Sequence, residues 1–363
     1  MKKKLKVGIL GATGMVGQRF ISLLENHPWF AVTAIAASPQ SAGKTYAEAV
    51  ERRWRIHKPV PSSVGNVRMQ TAEDDLATVA RNVDIVFSAL DMDKERIKKL
   101  EVAYAGEGVA VVSNNSAHRW TEDVPMIMPE INAHHVSLID VQRRLRGWNK
   151  GLLVVKPNCS LQSYLPVISA LMKFEPIQVS VTTLQAISGA GKTFETWPEM
   201  MDNVIPFIKG EEEKTEKEPM KILGSIKNGR LELSDNPKIS ATCVRVPVTD
   251  GHLASVAVKF GKKPSRNEFL DALLKFTDPL ESLGLPSAPK RFITYLEQED
   301  RPQTKLDRDV EDGMGITCGR LREDPLSDWK FITLVHNTVR GAAGGAILVA
   351  ELLVKKQYVL ANS

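Results

Sequence analysis

The sequence predicts an α/β protein that begins with a Rossmann-like, doubly wound parallel sheet and continues into an α+β part with a mixed sheet. Strand-like and helix-like stretches alternate up to residue 157, the pattern of parallel strands joined by crossover helices. Beyond residue 158 longer segments separate the strand candidates, which favours a mixed or antiparallel sheet. A chain of 363 residues is long enough for two cores. We therefore predict one domain over residues 1–157, completed by a C-terminal helix over 341–363, and a second over 158–340.

The first half carries a regular succession of elements. Runs of β-branched and other apolar residues predict strands at LKVGIL (5–10), FAVTAIAAS (30–38), VDIVFSAL (83–90) and VAVVSNN (109–115). Apolar residues at helical spacing predict helices at 15–27 and 94–108. Strands and helices that alternate in this way form a sheet with helices on both faces.

Elements in the second half lie further apart. Strands are predicted at 178–188, 241–248, 253–261 and 331–338, and helices at 159–174 and 344–359. The last helix is apolar over a broad face, so we expect it to pack on the first domain. The stretch KGEEEKTEKEPMKILG (209–224) is charge-rich, which by itself predicts a solvent-exposed helix.

Composition excludes several classes of protein. Hydrophobic residues make up 43% and charged residues 25%, and the net charge of +5 comes from interleaved signs. This balance does not predict nucleic-acid binding. Three cysteines without a repeated spacing predict neither a disulfide framework nor a metal site. No apolar run approaches the ~20 residues that span a bilayer, so a cytoplasmic protein without membrane contact is expected.

The turn GATGMVG (11–17) lies directly between a predicted strand and a predicted helix. Gly11 permits the tight turn, Gly14 a close approach of the backbone to a phosphate, and Gly17 close packing of helix on strand. The helix N-terminus offers free N–H groups to a pyrophosphate. This context predicts a dinucleotide site, whose other expected contacts in the turn are Thr13, Met15 and Val16.

The second strand indicates which dinucleotide binds. NAD sites usually end this strand with an acidic residue that holds the ribose 2′-hydroxyl. Here the strand ends AASPQSAGK (36–44), with no acid. Ser38, Ser41 and Lys44 are candidates to hold a 2′-phosphate, so NADP is predicted over NAD.

Cys159, in KPNCSLQ (156–162), lies at the predicted start of a helix. A helix N-terminus lowers a thiol pKa and favours the nucleophilic thiolate, although a cysteine in this position is also compatible with a structural role. A thiolate beside a nicotinamide predicts attack on an aldehyde or acyl carbonyl, with hydride transfer at the same carbon.

RVPVTDGH (245–252) supplies candidate partners for the thiolate. Arg245 and His252 stand seven residues apart across the end of a predicted strand, which can place both near one edge of the sheet. Histidine suits proton transfer near neutral pH, and arginine suits an anionic substrate. A single histidine in a loop is also compatible with no catalytic role.

Seven motifs occur together in one order and resemble those of the aspartate-β-semialdehyde dehydrogenases, in the branch common in archaea and fungi. The motifs are GATGMVG, SNNSAHR (113–119), PNCS (157–160), LQAISGAGK (184–192), EPMKIL (218–223), RVPVTDGH and HNTVRGAAGG (336–345). The resemblance runs from about residue 5 to 358. It implies NADPH-dependent reductive dephosphorylation of L-aspartyl-4-phosphate, in the pathway to lysine, threonine, methionine and isoleucine, by a homodimer or homotetramer.

The resemblance also implies a role for each matched residue. Cys159 is similar to the nucleophile that forms a thioacyl enzyme, His252 to the acid/base residue and Gln185 to the residue that orients the acyl group. Arg245 is similar to the clamp on the substrate α-carboxylate, Glu218 to the ammonium ligand and Lys221 to a phosphate ligand. Further phosphate contacts are implied for Arg119 and Asn158, and further cofactor contacts for Ser188, Gly189, Gly191 and Asn337. These roles make the 209–224 helix partly functional.

Two alternatives stay open from the sequence. A reductase of the same fold that acts on an acyl-CoA such as malonyl-CoA would keep the cysteine and histidine, and a silent NADP-binding sensor would keep the fold alone. N-acetylglutamyl-phosphate reductases are similar but match fewer motifs. The chain also departs from the family at Lys156, which could lower the thiol pKa or point into solvent, at Leu161, and at His336, whose role is open.

Overall fold

A computed structural model describes residues 3–276 and 280–360. The last three residues of the predicted C-terminal helix and the first two of the predicted first domain lie outside the described residues. Within the described ranges the chain forms two six-stranded sheets and one small hairpin. The α/β prediction, with a parallel sheet followed by a mixed one, is confirmed.

The first sheet contains six parallel strands in the order β3-β2-β1-β4-β5-β6. Because the order reverses between β1 and β4, a crevice opens beside the carboxyl ends of these two strands, where such sheets bind ligands. The strands are β1 (Leu5–Leu10), β2 (Phe30–Ala37), β3 (Gln70–Thr71), β4 (Ile85–Ser88), β5 (Ala110–Ser113) and β6 (Leu152–Val155).

Seven helices accompany this sheet. They are α1 (Met15–Leu23), α2 (Tyr46–Val50), α3 (Ser62–Gly65), α4 (Leu76–Arg81), α5 (Lys94–Gly106), α6 (Pro129–Asn132) and α7 (Leu138–Arg146). Helix α1 ends four residues before its predicted limit, because Asn26 has a left-handed φ of 58°, which an α-helix cannot continue.

The second sheet is mixed, with strands in the order β10-β7-β11-β14-β13-β12. Strand β7 pairs parallel with β10 and antiparallel with β11, and β11 pairs antiparallel with β14. The carboxyl ends of β7, β10 and β14 therefore lie beside the amino end of β11. We call this row of strand ends the shared edge of the second sheet. The strands are β7 (Pro176–Gln185), β10 (Lys238–Arg245), β11 (His252–Phe260), β12 (Ile293–Leu296), β13 (Ile316–Glu323) and β14 (Trp329–Val335), with β8 (Ser225–Lys227) and β9 (Arg230–Glu232) in the hairpin.

The predicted strands at 178–188, 241–248 and 331–338 run three residues too far at their carboxyl ends. The surplus residues are apolar or β-branched enough to resemble strand, but they leave the sheet at the shared edge and form loops there. The sequence patterns do not predict strands β3, β6, β8, β9, β12 and β13. In β13 the register shifts between Gly319 and Arg322, and Arg320 has a φ of 55°, so the alternation that marks a strand is interrupted.

Five helices belong to the second half: α8 (Leu161–Ala170), α9 (Glu211–Ile222), α10 (Arg266–Leu274), α11 (Thr304–Asp307) and α12 (Gly344–Lys355). The helix predicted over 159–174 begins two residues later than expected and gives way to a 3₁₀ turn at Met172–Phe174. Helix α12 follows a π-helical turn at Val339–Ala343 and is buried from Gly344 to Leu353. It lies in one apolar cluster with the strands of the first sheet, including Ile9 and Phe87.

No helix within residues 3–276 and 280–360 is long and apolar enough to cross a membrane.

Candidate active site

A cleft lies where the shared edge of the second sheet faces the glycine turn of the first. It brings together residues from seven separate parts of the chain. These are Val16 in α1, Asn114 and Arg119 after β5, Cys159 before α8, Gln185 at the end of β7, Ile208 and Glu211 around the start of α9, Arg245 at the end of β10, and the turn after β14. Strand pairing brings these distant parts of the sequence together, because Arg245 lies opposite Gln185 and His252 lies opposite Val335.

Cys159 and His252 are in contact. The Cys159 Sγ atom lies 3.4 Å from Nε2 of His252, and the imidazole is completely buried. On its other side, Nδ1 of His252 accepts a hydrogen bond of 3.1 Å from the main-chain N–H of Ala186. Because Nδ1 is an acceptor, the neutral ring carries its proton on Nε2, and the hydrogen points at the sulfur.

The thiol pKa differs from the sequence prediction. Burial raises the pKa of Cys159 to about 11, and the Glu211 carboxylate adds to the rise, while Lys156, Arg119 and Arg245 oppose it. The prediction that a helix N-terminus lowers this pKa is wrong for the free protein. Helix α8 starts two residues after the cysteine, and removal of the sulfur from water outweighs the favourable charges.

Lys156 does not point into solvent. It is 1% exposed, and its ammonium donates to the carbonyl of Pro157 at 3.1 Å and to that of Gly341. Burial lowers its pKa well below the ordinary value, against the opposing Cys159 thiolate. Of the two interpretations left open by the sequence, the structure therefore favours the one in which Lys156 lowers the thiol pKa.

Arg245 and Gln185 flank the thiol at the sheet edge. The Nη1 atom of Arg245 donates to the Ala186 carbonyl at 2.7 Å, which leaves other guanidinium hydrogens for the cleft. Gln185 accepts from the Thr183 hydroxyl at 3.0 Å through Oε1 and donates to Glu211 at 3.2 Å through Nε2. Both side chains line the cleft, as the prediction requires.

The predicted phosphate and ammonium ligands form a network across the two halves. Arg119 donates from Nη1 to Oε1 of Glu218 at 2.8 Å, and the other carboxylate oxygen of Glu218 accepts from the Asn158 main-chain N–H at 2.7 Å. Lys221 donates to three carbonyls, those of Arg119, Thr121 and Val124. Burial lowers the Lys221 pKa to about 8. Arg119 and Asn158 line the cleft, but Glu218 and Lys221 do not.

Glu211 is a cleft residue that the sequence patterns do not single out. It is the first residue of α9, after Gly210 at a φ of 72°, and it lines the cleft beside Cys159. Glu211 stands two helical turns before Glu218, so both residues lie on one face of α9. This spacing could have indicated Glu211 from the sequence, but it lies within a run of acidic and basic residues and does not stand out.

The glycine turn fits a dinucleotide pyrophosphate. Gly11 has a left-handed φ of 83°, and a Cβ on Gly17 would lie 2.3 Å from the Gly11 carbonyl oxygen, so neither position tolerates a side chain. Gly14 is exposed at the N-cap of α1, and no side chain caps the helix. The N–H groups of Met15 and Val16 thus stay available to an anion. Thr13 uses its carbonyl to accept from Gln18 at 2.9 Å.

The three candidate 2′-phosphate ligands lie together after β2. Ser41 is buried in a 3₁₀ turn at Pro39–Ser41, whereas Ser38 and Lys44 are exposed. Among the three, Ser38 and Lys44 are therefore the ones placed to reach a ligand on the surface of the first sheet.

The second cofactor loop follows β7 as a 3₁₀ turn at Ile187–Ala190. Ser188 accepts from the side-chain amide of Asn337 at 2.8 Å, and the side-chain carbonyl of Asn337 accepts from the Gly251 N–H at 2.8 Å. Gly189 is exposed, and a Cβ there would lie 3.1 Å from His252 and 3.0 Å from Arg245. Gly191 closes the turn at a φ of 68°. The bare backbone at Gly189 therefore allows a ligand to approach the catalytic pair closely.

Within the ranges 3–276 and 280–360, no group of three or more histidine, cysteine or acidic side chains is placed to hold a metal ion. The three cysteines, Cys159, Cys243 and Cys318, are free thiols.

The chain matches two family models that together cover most of its length. Residues 6–139 match the NAD binding domain of semialdehyde dehydrogenases, and residues 166–340 match the dimerisation domain. It is 44% identical over 356 residues to the aspartate-semialdehyde dehydrogenase of Archaeoglobus fulgidus, with 98% of this chain and 100% of the relative covered. The chain belongs to the semialdehyde dehydrogenase family.

Other members of the semialdehyde dehydrogenase family show the same breadth of similarity. The aspartate-semialdehyde dehydrogenase of Schizosaccharomyces pombe is 41% identical, with 97% of this chain and 98% of the relative covered. The crystal structure of the Candida albicans aspartate semialdehyde dehydrogenase with NADP superimposes with a TM-score of 0.86 at 36% identity, over 98% of this chain and 100% of that one. The archaeal and fungal resemblance predicted from the motifs is confirmed.

Proposed function

We propose that this protein reduces L-aspartyl-4-phosphate to L-aspartate-4-semialdehyde and inorganic phosphate with NADPH, in the cytoplasmic pathway to lysine, threonine, methionine and isoleucine. The observation that carries the proposal is the contact of Cys159 with His252, in a cleft that also contains the glycine turn. The relatives named above support the choice of substrate.

The dinucleotide proposed for this site is NADP. When bound, NADPH supplies the hydride for the reaction. Gly11, Gly14 and the first turn of α1 would hold the pyrophosphate, and Ser38 and Lys44 the 2′-phosphate. The loop of Ser188, Gly189 and Gly191, fixed by Asn337, would adjoin the nicotinamide. The domain proposal follows from this arrangement: residues 1–157 with 341–363 bind the cofactor, and 158–340 carry the catalytic and dimerisation surfaces of a homodimer or homotetramer.

The chemistry divides into two steps on Cys159. In the first, the thiolate attacks the acyl carbon, a C–S bond forms, the bond from that carbon to the phosphate oxygen breaks, and phosphate leaves. In the second, hydride addition to the thioacyl carbon gives a tetrahedral alkoxide. Its collapse breaks the C–S bond, releases the aldehyde and regenerates the thiolate. The one proton that each cycle consumes goes to the departing phosphate and comes from solvent, so none is needed from sulfur.

His252 acts in this proposal as a hydrogen-bond donor. Its Nε2–H faces the sulfur, where it stabilises the thiolate and then the neighbouring oxyanion. Gln185 holds the acyl group in line, and Arg245 holds the α-carboxylate. Arg119 and Asn158 are the proposed phosphate contacts. The roles that the resemblance gives Glu218 and Lys221 stay predictions, because their polar atoms already have partners within the protein.

Turnover in the reverse direction tests the function. Purified protein with aspartate semialdehyde and NADP should produce NADPH only when phosphate or arsenate is present, and kcat/KM should be higher with NADP than with NAD. If the aldehyde gives no turnover while malonyl-CoA supports NADPH oxidation, the acyl-CoA reductase is correct. Binding of NADP without any turnover would instead identify a sensor.

Arg245→Leu should raise KM for aspartate semialdehyde by about 10- to 100-fold, the range expected when a hydrogen-bonded charge pair is lost. The KM for NADP should stay within about twofold, because the proposed contacts to the pyrophosphate and the 2′-phosphate come from the first sheet, whereas Arg245 ends β10 of the second. Arg266→Leu is the matched control, since Arg266 is an exposed arginine of α10 paired with Glu297. An unchanged KM in Arg245→Leu would contradict the clamp.

A further inference from the structure

Lys156 is a buried cation with no role in the two chemical steps described above. Its side chain is 1% exposed. In the described part of the chain its polar partners are two main-chain carbonyls, those of Pro157 and Gly341, and neither carries a charge. Lysine side chains are almost never fully buried unless an anion pairs with them, because an unpaired charge is costly to remove from water. A buried ammonium without a carboxylate therefore points to a function.

The buried charges around Lys156 leave it without a partner of its own. Arg119 pairs with Glu218 at 2.8 Å. Arg340 pairs with Glu130 through two guanidinium nitrogens. All four of these side chains are at most 7% exposed. Each guanidinium thus has its own carboxylate, whereas Lys156 has none, so the cluster carries one positive charge in excess when Lys156 is protonated.

Both carbonyls that hold the ammonium belong to segments that contact Cys159. Pro157 stands two residues before the cysteine in the chain. Gly341 packs directly on it, since a Cβ on Gly341 would lie 3.0 Å from the Cys159 Cβ. Gly341 belongs to the π-helical turn at Val339–Ala343, which lines the cleft. The excess charge is therefore fixed at the base of the loop that carries the sulfur.

Helix α12 leaves room for the lysine stem. Gly345 is the second residue of this helix, and a Cβ there would lie 2.7 Å from Cε of Lys156. Any side chain at position 345 would thus occupy the space of the stem. The buried position of Lys156 is built into the packing of α12 on the cysteine loop.

We propose that Lys156 is the buried counter-ion of the Cys159 thiolate, a positioning residue that acts on the reaction only through the sulfur. The inference rests on the role of nucleophile that the proposed function gives Cys159. The positive charge serves both chemical steps, because the thiolate is the attacking group in the first and the leaving group in the second. When the thiol ionises, its proton goes to solvent and the ammonium keeps its own.

The two charges of this pair favour each other. The charged or titratable groups that face the sulfur are Lys156, Arg119, Glu211, Arg245 and His252. Burial has the largest effect on the Cys159 pKa and raises it, and Lys156 is the cation that opposes this rise most. Burial likewise lowers the Lys156 pKa, and the Cys159 thiolate is the charge that opposes this fall most. Arg119 and Arg340 lower the Lys156 pKa further, while Glu218 raises it.

Alkylation of the free enzyme by iodoacetamide at about pH 9 tests the counter-ion without any substrate. Well below the thiol pKa, the rate is proportional to the thiolate fraction. Lys156→Met keeps an unbranched stem and removes the charge. It should slow the reaction by about 10-fold, the factor that corresponds to one pH unit in the thiol pKa. Lys150→Met, at an exposed lysine just before β6, should react like the wild type.

A second variant separates the charge from the hydrogen bond. Lys156→Gln keeps an N–H donor for the carbonyls but has no charge, so it should react as slowly as Lys156→Met. A wild-type rate in Lys156→Gln would mean that Lys156 only anchors the turn, and would overturn the inference. If Lys156→Met does not fold, Lys156→Gln decides the question alone.

The ultraviolet absorbance of the thiolate, measured against pH as a difference from Cys159→Ser, gives the midpoint directly. It should lie about one unit higher in Lys156→Met than in the wild type. Slower alkylation with an unchanged midpoint would indicate a steric effect and overturn the counter-ion. In turnover, Lys156→Met should lower kcat by about 10-fold and leave the KM for NADP within about twofold, since the charge acts on the sulfur. Failure of the wild type to use aspartate semialdehyde would remove the proposed function but would leave the alkylation and absorbance results as they are.

Discussion

Cys159→Ser is expected to lower kcat by about 10³-fold or more while the affinity for NADP is retained. A serine hydroxyl is a far weaker nucleophile than a thiolate unless a base removes its proton. In our proposal His252 does not serve as that base, because Nδ1 accepts from the Ala186 N–H and the nitrogen that faces residue 159 carries the ring hydrogen. Steady-state kinetics with aspartate semialdehyde, and fluorescence titration with NADPH, measure the two quantities. Residual activity above about a tenth of wild type would remove Cys159 from the role of nucleophile.

The other two cysteines provide the matched control. Cys243 and Cys318 are completely buried in β10 and β13, so Cys243→Ala should leave kcat within a few-fold of wild type. Iodoacetamide should label Cys159 first, at a rate that rises with pH toward a midpoint near 11, the pKa to which burial raises the free thiol. A midpoint near 7 would mean that the thiolate is preformed in the free enzyme.

His252→Ala is expected to lower kcat by about 10²- to 10⁴-fold, the range found when a positioned proton donor or acceptor is removed. His252→Gln should recover part of this loss, since its amide can present an N–H toward the sulfur. If the imidazole acts by stabilising the thiolate and the oxyanion, a hydrogen-bond donor at position 252 is sufficient for part of the activity. If His252 had to accept the thiol proton, glutamine would be as poor as alanine.

The pH dependence of kcat/KM separates the two roles of His252 further. Burial lowers the His252 pKa to about 3, with Arg245 acting in the same direction, so the ring is neutral throughout the physiological range. The profile for aldehyde oxidation should therefore lack an acidic limb near pH 6.5 and should rise toward high pH as the thiol ionises. An acidic limb near pH 6.5 that disappears in His252→Ala would assign His252 as the general base.

The sequence predicts the four inner strands of the first sheet and four neighbouring strands of the second, because the residue patterns that mark them are regular. The alternation of strand-like and helix-like stretches identifies the parallel strands, and runs of β-branched residues identify β7, β10, β11 and β14. The predicted ends of these strands are wrong for a physical reason. Ser188, Val248 and Asn337 lie beyond the last residues of β7, β10 and β14. The loops after β7 and β10 bond to each other there, since the N–H groups of Ile187 and Ser188 donate to the carbonyls of Val248 and Thr249.

The site itself shows what the linear sequence cannot supply. Motif resemblance names Cys159, Gln185, Arg245 and His252, and the fold brings them to one cleft. Glu211 escapes prediction because a run of acidic residues is typical of a solvated face, and only the packing of α9 reveals which member turns inward. The direction of the thiol pKa is wrong for a similar reason, since burial is a property of the tertiary structure.

The residue that organises this cleft has no functional side chain. Ala186 donates its N–H to His252 and accepts from Arg245 through its C=O, so one peptide segment fixes the tautomer of the first and the direction of the second. Because both bonds come from the main chain, a conventional alanine scan passes over the position without a signal. The main chain thus decides which nitrogen of the imidazole carries the hydrogen. A change to the backbone itself, such as proline or an ester linkage at 186, removes the N–H that fixes this tautomer.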